Sequence, residues 1–500
     1  MTLGGGRRGC QARMHAASPR CAVLHARGMV QTDPWLEHYG ERRRAPRRSR
    51  RLRLVFVLAA VLAVVAGALV LIAGGDGGWR PPSGLSGFHG CTHGGRVKAR
   101  CASVAGLHVA VIPATRQPAR GALFYLEGGP GGAATAAAVS VDEIFAKVSE
   151  FRDIVLVDQR GTGQSQRVAC PQEHVRATDA GAVSSYLRRC FAHLGSTAER
   201  LTTANAADDL ERVRRALGYG RIDVYGSSYG ATLAQMYLQR YPRAVRTATL
   251  DGASLPGTPV YELAARNAER ALRLLAARCV AQPACRRAFP DTGADLARAL
   301  ARHRGSADGL ATTVAVLLRS PDDAARVPLL VHEAAAGDGR PLAREFAAHV
   351  GAELDARSRL PLFWVTNCGE PWARFDVAAT ERASRGSFLA AAAVARAELF
   401  RQACSAVTRI ARPAERSWSS PVPVLLLAGD ADPQDPPGNV SGWRRAFPNG
   451  RLISVPGLAH GVIAYGCLRL VVARFVADAS VRQLDARCAS RVSLPRFELS

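Results

Sequence analysis

The sequence predicts an α/β protein in which a mainly parallel β-sheet is covered by helices on both faces. Short apolar segments that are typical of buried strands alternate with helical patterns from residue 107 to residue 250. Residues 253–418 interrupt this alternation with Ala, Arg and Leu at helical spacing, which predicts an inserted helical cap. A charge-free apolar stretch at residues 54–73 predicts one transmembrane helix ahead of the sheet.

The strands are predicted from apolar runs that are bounded by Gly, Pro or polar residues. These runs lie at residues 107–113, 121–126, 154–157, 222–225, 245–250, 423–428 and 451–455, with a helical pattern at 207–217. We therefore divide residues 91–500 into a first core segment at 91–252, the cap at 253–418 and a second core segment at 419–500. Because the cap separates the two core segments, we expect it to fold over the carboxyl edge of the sheet.

The N-terminal segment, residues 1–53, is strongly basic, with thirteen Arg against three acidic residues. The apolar stretch at 54–73 is about 30 Å long as a helix, which is enough to cross a bilayer. Positive charge ahead of a span predicts a cytoplasmic N-terminus and an exported body. We prefer a membrane anchor followed by a linker at 74–90, because the run is longer than a typical signal core. A cleaved signal peptide, which implies a secreted protein, and a buried core helix are the alternatives.

The composition excludes several classes of protein. A chain of 500 residues with 48% hydrophobic content is typical of a globular protein with a substantial core, not of a disordered one. The formal net charge is +25, but Lys98 and Lys147 are the only lysines and the arginines are spread along the chain. Because no basic stripe with interleaved aromatic residues accompanies this charge, it predicts a solvated surface and no nucleic-acid partner.

Ten cysteines follow the apolar stretch, an even number without the regular spacing of a metal site. We predict disulfides, in agreement with export, and hypothesise that each cysteine pairs with its neighbour along the chain. Reduced, buried cysteines are the alternative, which suits a cytosolic protein. The ten are Cys91, Cys101, Cys170, Cys190, Cys279, Cys285, Cys368, Cys404, Cys467 and Cys488.

The segment Gly-Ser-Ser-Tyr-Gly that begins at Gly226 stands between an apolar run and a helical pattern. This strand-turn-helix context is the one that a nucleophile elbow requires. Flanking glycines matter there, because neighbouring side chains would collide on the strained turn. The pattern predicts that Ser228 is a nucleophile, although an ordinary Gly/Ser turn produces the same letters.

A glycine-rich loop follows the run at 121–126 and reads Gly-Gly-Pro-Gly-Gly after Glu127. Without side chains, the backbone N–H groups of such a loop approach a ligand oxygen closely. We expect an oxyanion hole formed by the N–H of Gly129 and that of Tyr229, the residue after the serine. A plain glycine turn is the alternative.

Asp432 and His460 follow the last two predicted strands, each in a loop. A carboxylate at such a strand end orients a histidine, and Asp432 is favoured by position over Asp430 and Asp435, which are alternatively turn or capping residues. The order Ser, Asp, His is that of α/β-hydrolases, with His460 as the general base. No metal and no cofactor are predicted, since the sequence holds no HExxH, paired CxxC or GxxxxGK[ST] motif.

The glycine loop, the serine elbow and the acid and histidine loops together resemble a known family. Matching segments lie at residues 128–132, 158–165, 203–210, 224–230, 241–246, 250–252, 429–436 and 460–461. They resemble the proline iminopeptidase and tripeptidyl aminopeptidase family of α/β-hydrolases, in its secreted actinobacterial form with a distinctive C-terminal hydrolase segment. The resemblance covers most of residues 91–490 and implies an exopeptidase reaction at free N-termini of peptides. We expect the segment 158–165 to hold loops in place and not to take part in the chemistry.

Two positions near the presumed site depart from the family's pattern. Glu127 stands where many relatives have His or Pro, and Asp435 precedes Pro436 where a Thr-Pro often follows the acid. An aminopeptidase must also bind the ammonium group of its substrate, which calls for a carboxylate near the nucleophile. Glu370 in the cap is our candidate for this substrate-binding role, and Glu127 is an equal rival.

The sequence thus predicts a membrane-anchored, extracytoplasmic serine hydrolase that releases short or single N-terminal units from peptides. An esterase or amidase acting on a small substrate is the first alternative, because this scaffold changes its substrate through its cap and loops. A catalytically silent binding protein on the same fold is the second. The sequence predicts neither the number of residues released nor the oligomeric state.

Overall fold

A nine-stranded β-sheet forms the centre of the molecule. Its strands are β1 (His89–His93), β2 (Val97–Val104), β3 (Leu107–Ile112), β4 (Ala122–Leu126), β5 (Asp153–Val157), β6 (Ile222–Ser227), β7 (Val245–Asp251), β8 (Val424–Gly429) and β9 (Gly450–Val455). Their order across the sheet is β1-β2-β3-β5-β4-β6-β7-β8-β9. Strands β4 to β9 run parallel to their neighbours, and β1, β2 and β3 add an antiparallel edge next to β5. The mainly parallel sheet is confirmed, and each predicted strand lies within two residues of its expected bounds.

The computed structural model describes residues 79–166, 168, 170, 180–350, 360–370, 376–405 and 418–500. The basic segment at 1–53, the apolar stretch at 54–73 and residues 74–78 of the linker lie outside these residues, so the membrane anchor stays a prediction. None of the helices in the described ranges is both long and apolar enough to span a bilayer.

Strands β1 and β2 of the antiparallel edge are not predicted from the sequence. Strand β1 has the sequence HGCTH and is largely exposed, so it carries no apolar run. Strand β2 alternates buried and exposed residues over part of its length, and pairs with β1 in the register Cys91 opposite Ala99. A disulfide between Cys91 and Cys101 joins the two strands. The pairing with β2 and this disulfide therefore stabilise β1, although it has no hydrophobic pattern.

Of the helices in the described ranges, five precede the end of the first core segment: α1 (Ala138–Ile144), α2 (Ala180–Leu194), α3 (Ser196–Glu199), α4 (Thr203–Leu217) and α5 (Tyr229–Arg240). Ten more of the described helices follow before the sheet resumes: α6 (Val260–Ala281), α7 (Pro283–Ala288), α8 (Thr292–Arg302), α9 (Ala307–Leu317), α10 (Pro321–Ala324), α11 (Val327–Ala336), α12 (Arg340–Glu345), α13 (Leu360–Gly369), α14 (Val377–Ser384) and α15 (Ala390–Cys404). Two, α16 (Trp443–Ala446) and α17 (Leu468–Asp478), belong to the last part of the chain. Short 3₁₀ helices occupy Ala134–Ala137, Pro242–Ala244, Arg304–Ser306, Pro437–Val440 and Arg487–Arg491, and a π-helix occupies Phe346–Val350.

Helix α4 shows how local sequence determines the helix ends. The Thr202 hydroxyl accepts a hydrogen bond from the backbone N–H of Asn205, which satisfies a free donor of the first turn. At the other end Gly218 adopts a left-handed conformation with φ 79°, which favours glycine and stops the helix. Between these caps, one face of α4 is buried against the sheet.

Apolar side chains cover both faces of the sheet, because successive residues of a strand point to opposite sides. Val224 of β6 belongs to a cluster with Val213 of α4 and Tyr237 of α5. The next residue, Tyr225, belongs to the cluster on the other face, where its ring lies 5.0 Å from that of Phe145. The strands that are buried on both faces therefore have continuous apolar runs, and this is why they are visible in the sequence.

The helices between residues 260 and 404 form separate apolar clusters of their own. Helix α2 joins one of them, although it precedes the serine in the chain. Leu187 and Cys190 of α2 pack with Trp364 of α13 and Phe400 of α15. The predicted first core segment, residues 91–252, therefore includes a helix that packs against the cap. An apolar helix face predicts burial, but it does not identify the element that buries it.

The ten cysteines form five disulfides, and the hypothesis of consecutive pairing is confirmed. Each pair closes a local loop, the longest with a sequence separation of 36 residues. The pairs are Cys91–Cys101, Cys170–Cys190, Cys279–Cys285, Cys368–Cys404 and Cys467–Cys488.

Candidate active site

The turn between β6 and α5 carries Ser228 at the carboxyl edge of the sheet. Its backbone has φ 55° and ψ −124°, a conformation that residues with side chains rarely adopt. A Cβ atom on Gly226 would lie 2.2 Å from the carbonyl oxygen of Gly230, and one on Gly230 would lie 2.1 Å from that of Leu126. Both flanking positions therefore require glycine, as expected for a nucleophile elbow.

The glycine-rich loop after β4 packs directly against this elbow. A Cβ atom on Gly128 would lie 3.3 Å from the Cβ of Ser228 and 3.9 Å from the backbone nitrogen of Tyr229. Gly129 has a φ of 119°, which favours glycine. Within the described ranges, the N–H groups of Gly129 and Tyr229 donate to no acceptor. Two free N–H groups beside a serine hydroxyl are what an oxyanion hole needs.

Asp432 and His460, from the loops after β8 and β9, are in direct contact. The Nδ1 atom of His460 lies 2.8 Å from Oδ2 of Asp432. Asp432 is 0% exposed and the His460 side chain is 11% exposed. The Oδ1 atom of Asp432 accepts the backbone N–H groups of Gln434 at 2.7 Å and Asp435 at 2.9 Å. A carboxylate held in this way fixes the imidazole tautomer and leaves Nε2 to accept a proton.

The acid loop and the histidine loop approach each other closely at Gly429. A Cβ atom there would lie 2.2 Å from the carbonyl oxygens of Leu458 and Ala459, so only glycine fits. Asp430, the next residue, accepts the backbone N–H of Gly457 at 2.6 Å. Of the three acids considered from the sequence, Asp430 therefore braces the histidine loop, and Asp432 contacts the ring.

The charges around His460 determine its protonation. Burial alone lowers the pKa of His460, but the carboxylates of Asp432 and Asp435 outweigh it and raise this pKa to about 9. Burial raises the pKa of Asp432, yet the His460 ring and two backbone N–H groups more than offset this, so the pKa is lowered. The proton of the pair is therefore held on the imidazole at neutral pH.

Ser228 lies between these loops. Its Oγ is 3.3 Å from Nε2 of Gln434, and its backbone N–H donates to the carbonyl oxygen of Asp251 at 2.9 Å. The residue after Asp251 is Gly252, on which a Cβ atom would lie 3.0 Å from Nδ1 of His460. Nε2 of His460 is buried and has no hydrogen-bond partner in the part of the chain that the structure describes. The structure thus brings the three predicted residues to one edge of the sheet.

Asp251, the last residue of β7, connects the two sides of the site and is not among the site residues predicted from the sequence. Its carboxylate accepts the Tyr225 hydroxyl at 2.8 Å and the backbone N–H groups of Val462 at 2.9 Å and Ile463 at 3.0 Å. Burial raises the pKa of this carboxyl group. Asp251 therefore anchors the loop that carries His460, while its carbonyl oxygen anchors Ser228. A carboxylate at the end of a strand that is buried over most of its length is the signal for it.

Glu370 follows α13 in the cap and is buried. Its Oε1 accepts the backbone N–H of Thr203, the first residue of α4, at 2.9 Å. The Thr203 hydroxyl in turn lies 2.9 Å from the hydroxyl of Tyr229. Burial raises the pKa of Glu370. This carboxylate therefore stands close to the elbow, at a helix N-terminus that favours negative charge.

Glu127, the other candidate for the substrate ammonium, folds back over the glycine loop. Its two carboxylate oxygens accept the Tyr125 hydroxyl at 3.0 Å and the backbone N–H of Gly128 at 2.8 Å. A Cβ atom on Gly132 would lie 2.5 Å from the Cγ of Glu127. Both candidate carboxylates thus already support neighbouring backbone, Glu370 at the start of α4 and Glu127 in the glycine loop.

The segment 158–165 holds loops together, as the sequence analysis expects. The buried Asp158 carboxylate accepts the backbone N–H groups of Thr135 at 3.0 Å and Gln164 at 2.9 Å. Arg160 makes a two-pronged ion pair with Asp209 of α4, with both N–O distances at 2.6 Å. This network ties the segment after β5 to α4 and to the start of the Ala134–Ala137 turn.

A cavity of about 660 Å³ lies between the cap and the acid loop. Its wall includes Arg266 and Arg385 from the cap and Pro436 and Asn439 from the loop. Neither Ser228 nor His460 lines it. This cavity is therefore separate from the candidate catalytic residues.

The side chains of Cys91, His93 and Cys101 form a cluster with potential metal-ligand atoms within 4.8 Å of one another. The two cysteine sulfurs are joined in a disulfide, so neither is a thiolate. His93 alone does not make a metal site.

The sheet, the serine elbow and the paired acid and histidine define an α/β-hydrolase. The α/β-hydrolase-fold family matches residues 121–466, which is more than half of the chain. The chain belongs to this family.

Several proteins with similar sequences are named as peptidases. A tripeptidyl aminopeptidase of Streptomyces coelicolor is 34% identical over 161 residues, 28% of this chain and 30% of that protein. A proline iminopeptidase of Neisseria meningitidis is 31% identical over 133 residues, 27% of this chain and 33% of that protein. The serine protease Hip1 of Mycobacterium tuberculosis is 29% identical over 229 residues, 41% of this chain and 43% of that protein. The chain spans less than half the length of each. The resemblance to the proline iminopeptidase and tripeptidyl aminopeptidase family is confirmed.

Proposed function

We propose that the protein is a serine exopeptidase that hydrolyses peptide bonds near a free N-terminus through Ser228, His460 and Asp432. The observation that carries this proposal is the 2.8 Å contact between Asp432 and His460 at the same sheet edge as a serine in a strained elbow. The names of the relatives support a peptide as the substrate.

In the first half of the reaction, Ser228 Oγ attacks the scissile carbonyl carbon and its proton passes to Nε2 of His460. Asp432 holds the opposite nitrogen and stabilises the imidazolium that forms. The negative charge on the carbonyl oxygen is stabilised by the N–H groups of Gly129 and Tyr229. When the carbon–nitrogen bond breaks, His460 gives the proton to the departing amine and an acyl-enzyme remains.

In the second half, His460 takes a proton from a water molecule, and the hydroxide formed attacks the ester carbon of the acyl-enzyme. The same two N–H groups stabilise the second tetrahedral intermediate. Its collapse returns the proton from His460 to Ser228 Oγ and releases the N-terminal fragment with a carboxyl group. The enzyme is thereby restored.

We further propose that Glu370 recognises the substrate ammonium, with Glu127 as its rival. The support for Glu370 is its place in the cap, beside the residue that follows the nucleophile. We expect Glu370→Gln to weaken turnover of peptides with a free N-terminus more than that of N-acetylated ones. Equal effects on both would remove Glu370 from this role, and the same comparison with Glu127→Gln tests the rival.

The decisive experiment is mass spectrometry of the products formed from a library of peptides with free N-termini. We expect loss of a short N-terminal unit by the wild-type enzyme and none by Ser228→Ala. Loss of one residue indicates an iminopeptidase-like site, and loss of three a tripeptidyl one. Labelling of Ser228 by a fluorophosphonate probe reports the reactivity of the serine independently of the substrate.

Two outcomes would contradict the exopeptidase proposal. Faster turnover of p-nitrophenyl esters than of peptide p-nitroanilides, with no product from the library, would identify an esterase or amidase. Failure of the probe to label correctly folded protein would identify a silent binding protein.

We also propose that the hydrolase acts outside the cytoplasm, anchored by the helix predicted at residues 54–73 or secreted after cleavage. Five disulfides in the described residues support an oxidising compartment. Fractionation of the producing cells, with protease treatment of intact cells, tests this placement. Recovery of the enzyme from the cytoplasm with free thiols would contradict it.

A further inference from the structure

Asp435 places a second carboxylate beside His460. Its Oδ2 lies 3.9 Å from Nδ1 of His460, and the residue is buried. Its Oδ1 accepts the hydroxyl of Ser254 and, at 3.4 Å, Nδ2 of Asn439. The carboxylate is thus fixed from the side away from the imidazole.

Gln434 connects this carboxylate to the nucleophile. Its Nε2 lies 3.0 Å from Oδ2 of Asp435 and 3.3 Å from Oγ of Ser228. An amide nitrogen carries two hydrogens, so one is available for each contact. The backbone oxygen of Gln434 accepts Nδ2 of Asn439 at 3.0 Å, which fixes the loop itself.

Burial raises the pKa of Asp435, while the charge of His460 opposes this shift. In its ionised form, the carboxylate determines the direction of these hydrogen bonds. An ionised carboxylate only accepts, so the Gln434 amide must turn its nitrogen towards Asp435. The second hydrogen of that nitrogen then points to Ser228, whose oxygen accepts it. The serine's own hydrogen stays free for Nε2 of His460, the nitrogen that has no partner in the described ranges.

We propose that Asp435 is a positioning residue of the site, which orients the Ser228 hydroxyl through Gln434 and stabilises the protonated His460 ring through its charge. The proposal rests on the proposed function, because it takes His460 as the base that receives the serine's proton. Asp435 touches neither substrate nor the reacting oxygen.

Four charged groups face His460. Asp432 binds the ring directly, and Asp435 stands beside it. Asp251 also favours the charged ring, although its oxygens are bound by Tyr225 and by two backbone N–H groups. Arg319 opposes them, and its carbonyl oxygen accepts the backbone N–H of His460 at 3.0 Å. Loss of one of the three carboxylates makes the ring easier to deprotonate.

The first test is the pH dependence of kcat/KM for Asp435→Asn. We expect the acid limb of the profile to move to lower pH by about 1 unit, because a negative charge about 4 Å from the ring is removed. Asp430→Asn is the matched control, since it removes a carboxylate from the same loop that binds Gly457 and not the ring. Its acid limb should coincide with that of the wild type.

The second test is a double-mutant cycle with Gln434→Ala, measured above the acid limb, where His460 is neutral in every variant. We expect Asp435→Asn to lower kcat about tenfold in the wild-type background, since the serine loses its oriented donor. In the Gln434→Ala background the loss should be clearly smaller, because only the effect of the Asp435 charge on the His460 ring is then removed. The shift of the acid limb should persist in both backgrounds.

An unshifted acid limb in Asp435→Asn, or additive effects on kcat in the cycle, would overturn the inference while leaving the triad intact. A wild-type protein without turnover would instead contradict the proposed function, and the inference with it. If Asp435→Asn does not fold, Asp435→Thr supplies a smaller neutral side chain, and the same shift of the limb is expected.

Discussion

The two sides of the active site are built in different ways. On the nucleophile side, Ser228 is held by backbone geometry: a strained φ, close glycine contacts and free N–H groups. On the acid side, Asp432 and Asp435 are buried carboxylates that several donors surround. Backbone geometry depends on which residues are glycine, whereas a side-chain network depends on protonation and on distant neighbours. We therefore expect substitutions on the nucleophile side to abolish activity. Substitutions on the acid side should lower activity to different extents.

The largest effect is expected for Ser228→Ala, which removes the attacking oxygen. We expect kcat to fall by about 10⁶-fold, as for loss of a triad nucleophile in general. Alanine is smaller than serine, and Ser228 Oγ makes one hydrogen bond in the described ranges. The free energy of unfolding should therefore change little. A thermal denaturation curve checks the fold, and retained turnover would show that another residue is the nucleophile.

On the acid side, Asp432→Asn is expected to lower kcat by about 10⁴-fold. The amide loses the charge that stabilises the imidazolium and no longer imposes the tautomer that leaves Nε2 free. Fluorophosphonate labelling should slow in proportion, because it uses the same base. If Asp430→Asn had the larger effect instead, the assignment of the acid would be wrong.

The pH dependence of kcat/KM tests the acid side in the wild-type protein, without a substitution. His460 must be neutral to accept the serine's proton, and its pKa is raised to about 9. We therefore expect kcat/KM to rise as pH increases and to level off above about pH 9, with about a tenfold loss for each unit below it. Stopped assays from pH 6 to pH 10 give this profile. A limb near pH 6.5 would mean that the carboxylates do not act on the ring.

The smallest effect is expected for Asp251→Asn, which alters the residue shared by both sides. Its carboxylate accepts three hydrogen bonds in the buried interior. We expect about 1–3 kcal/mol of lost stability, because one of the buried donors is left with a weaker acceptor. Chemical denaturation measures this loss. A neutral effect on both stability and kcat would show that the backbone alone holds the histidine loop.

The parts of the fold that the sequence predicts are those with a simple physical signature. Strands β4, β5 and β8 are visible because burial on both faces demands nearly continuous apolar runs. Strand β1 is polar and exposed, so it has no such signature and only its pairing with β2 reveals it. Helix α2 has an apolar face, but its packing on α13 and α15 depends on contacts across more than 150 positions of the chain.

The candidate site shows the same division. Ser228, Asp432 and His460 can be proposed from the sequence because each follows a strand, in an order that matches a known chemistry. Gln434 and Asp435 could not be assigned a role in this way. Polar residues in a loop after a strand are usually solvated, and only the distances to Ser228 and His460 distinguish these two from turn residues.

The sequence by itself determined seven of the nine strands, the glycine positions and the order of the candidate residues, because these depend on local sterics and on burial periodicity. The tertiary structure decided which of three neighbouring acids faces the imidazole: Asp432 contacts it, Asp435 stands beside it and Asp430 binds a backbone N–H. All three occur within six consecutive residues and have the same chemistry. Their directions are set by contacts with distant loops, which no local pattern encodes.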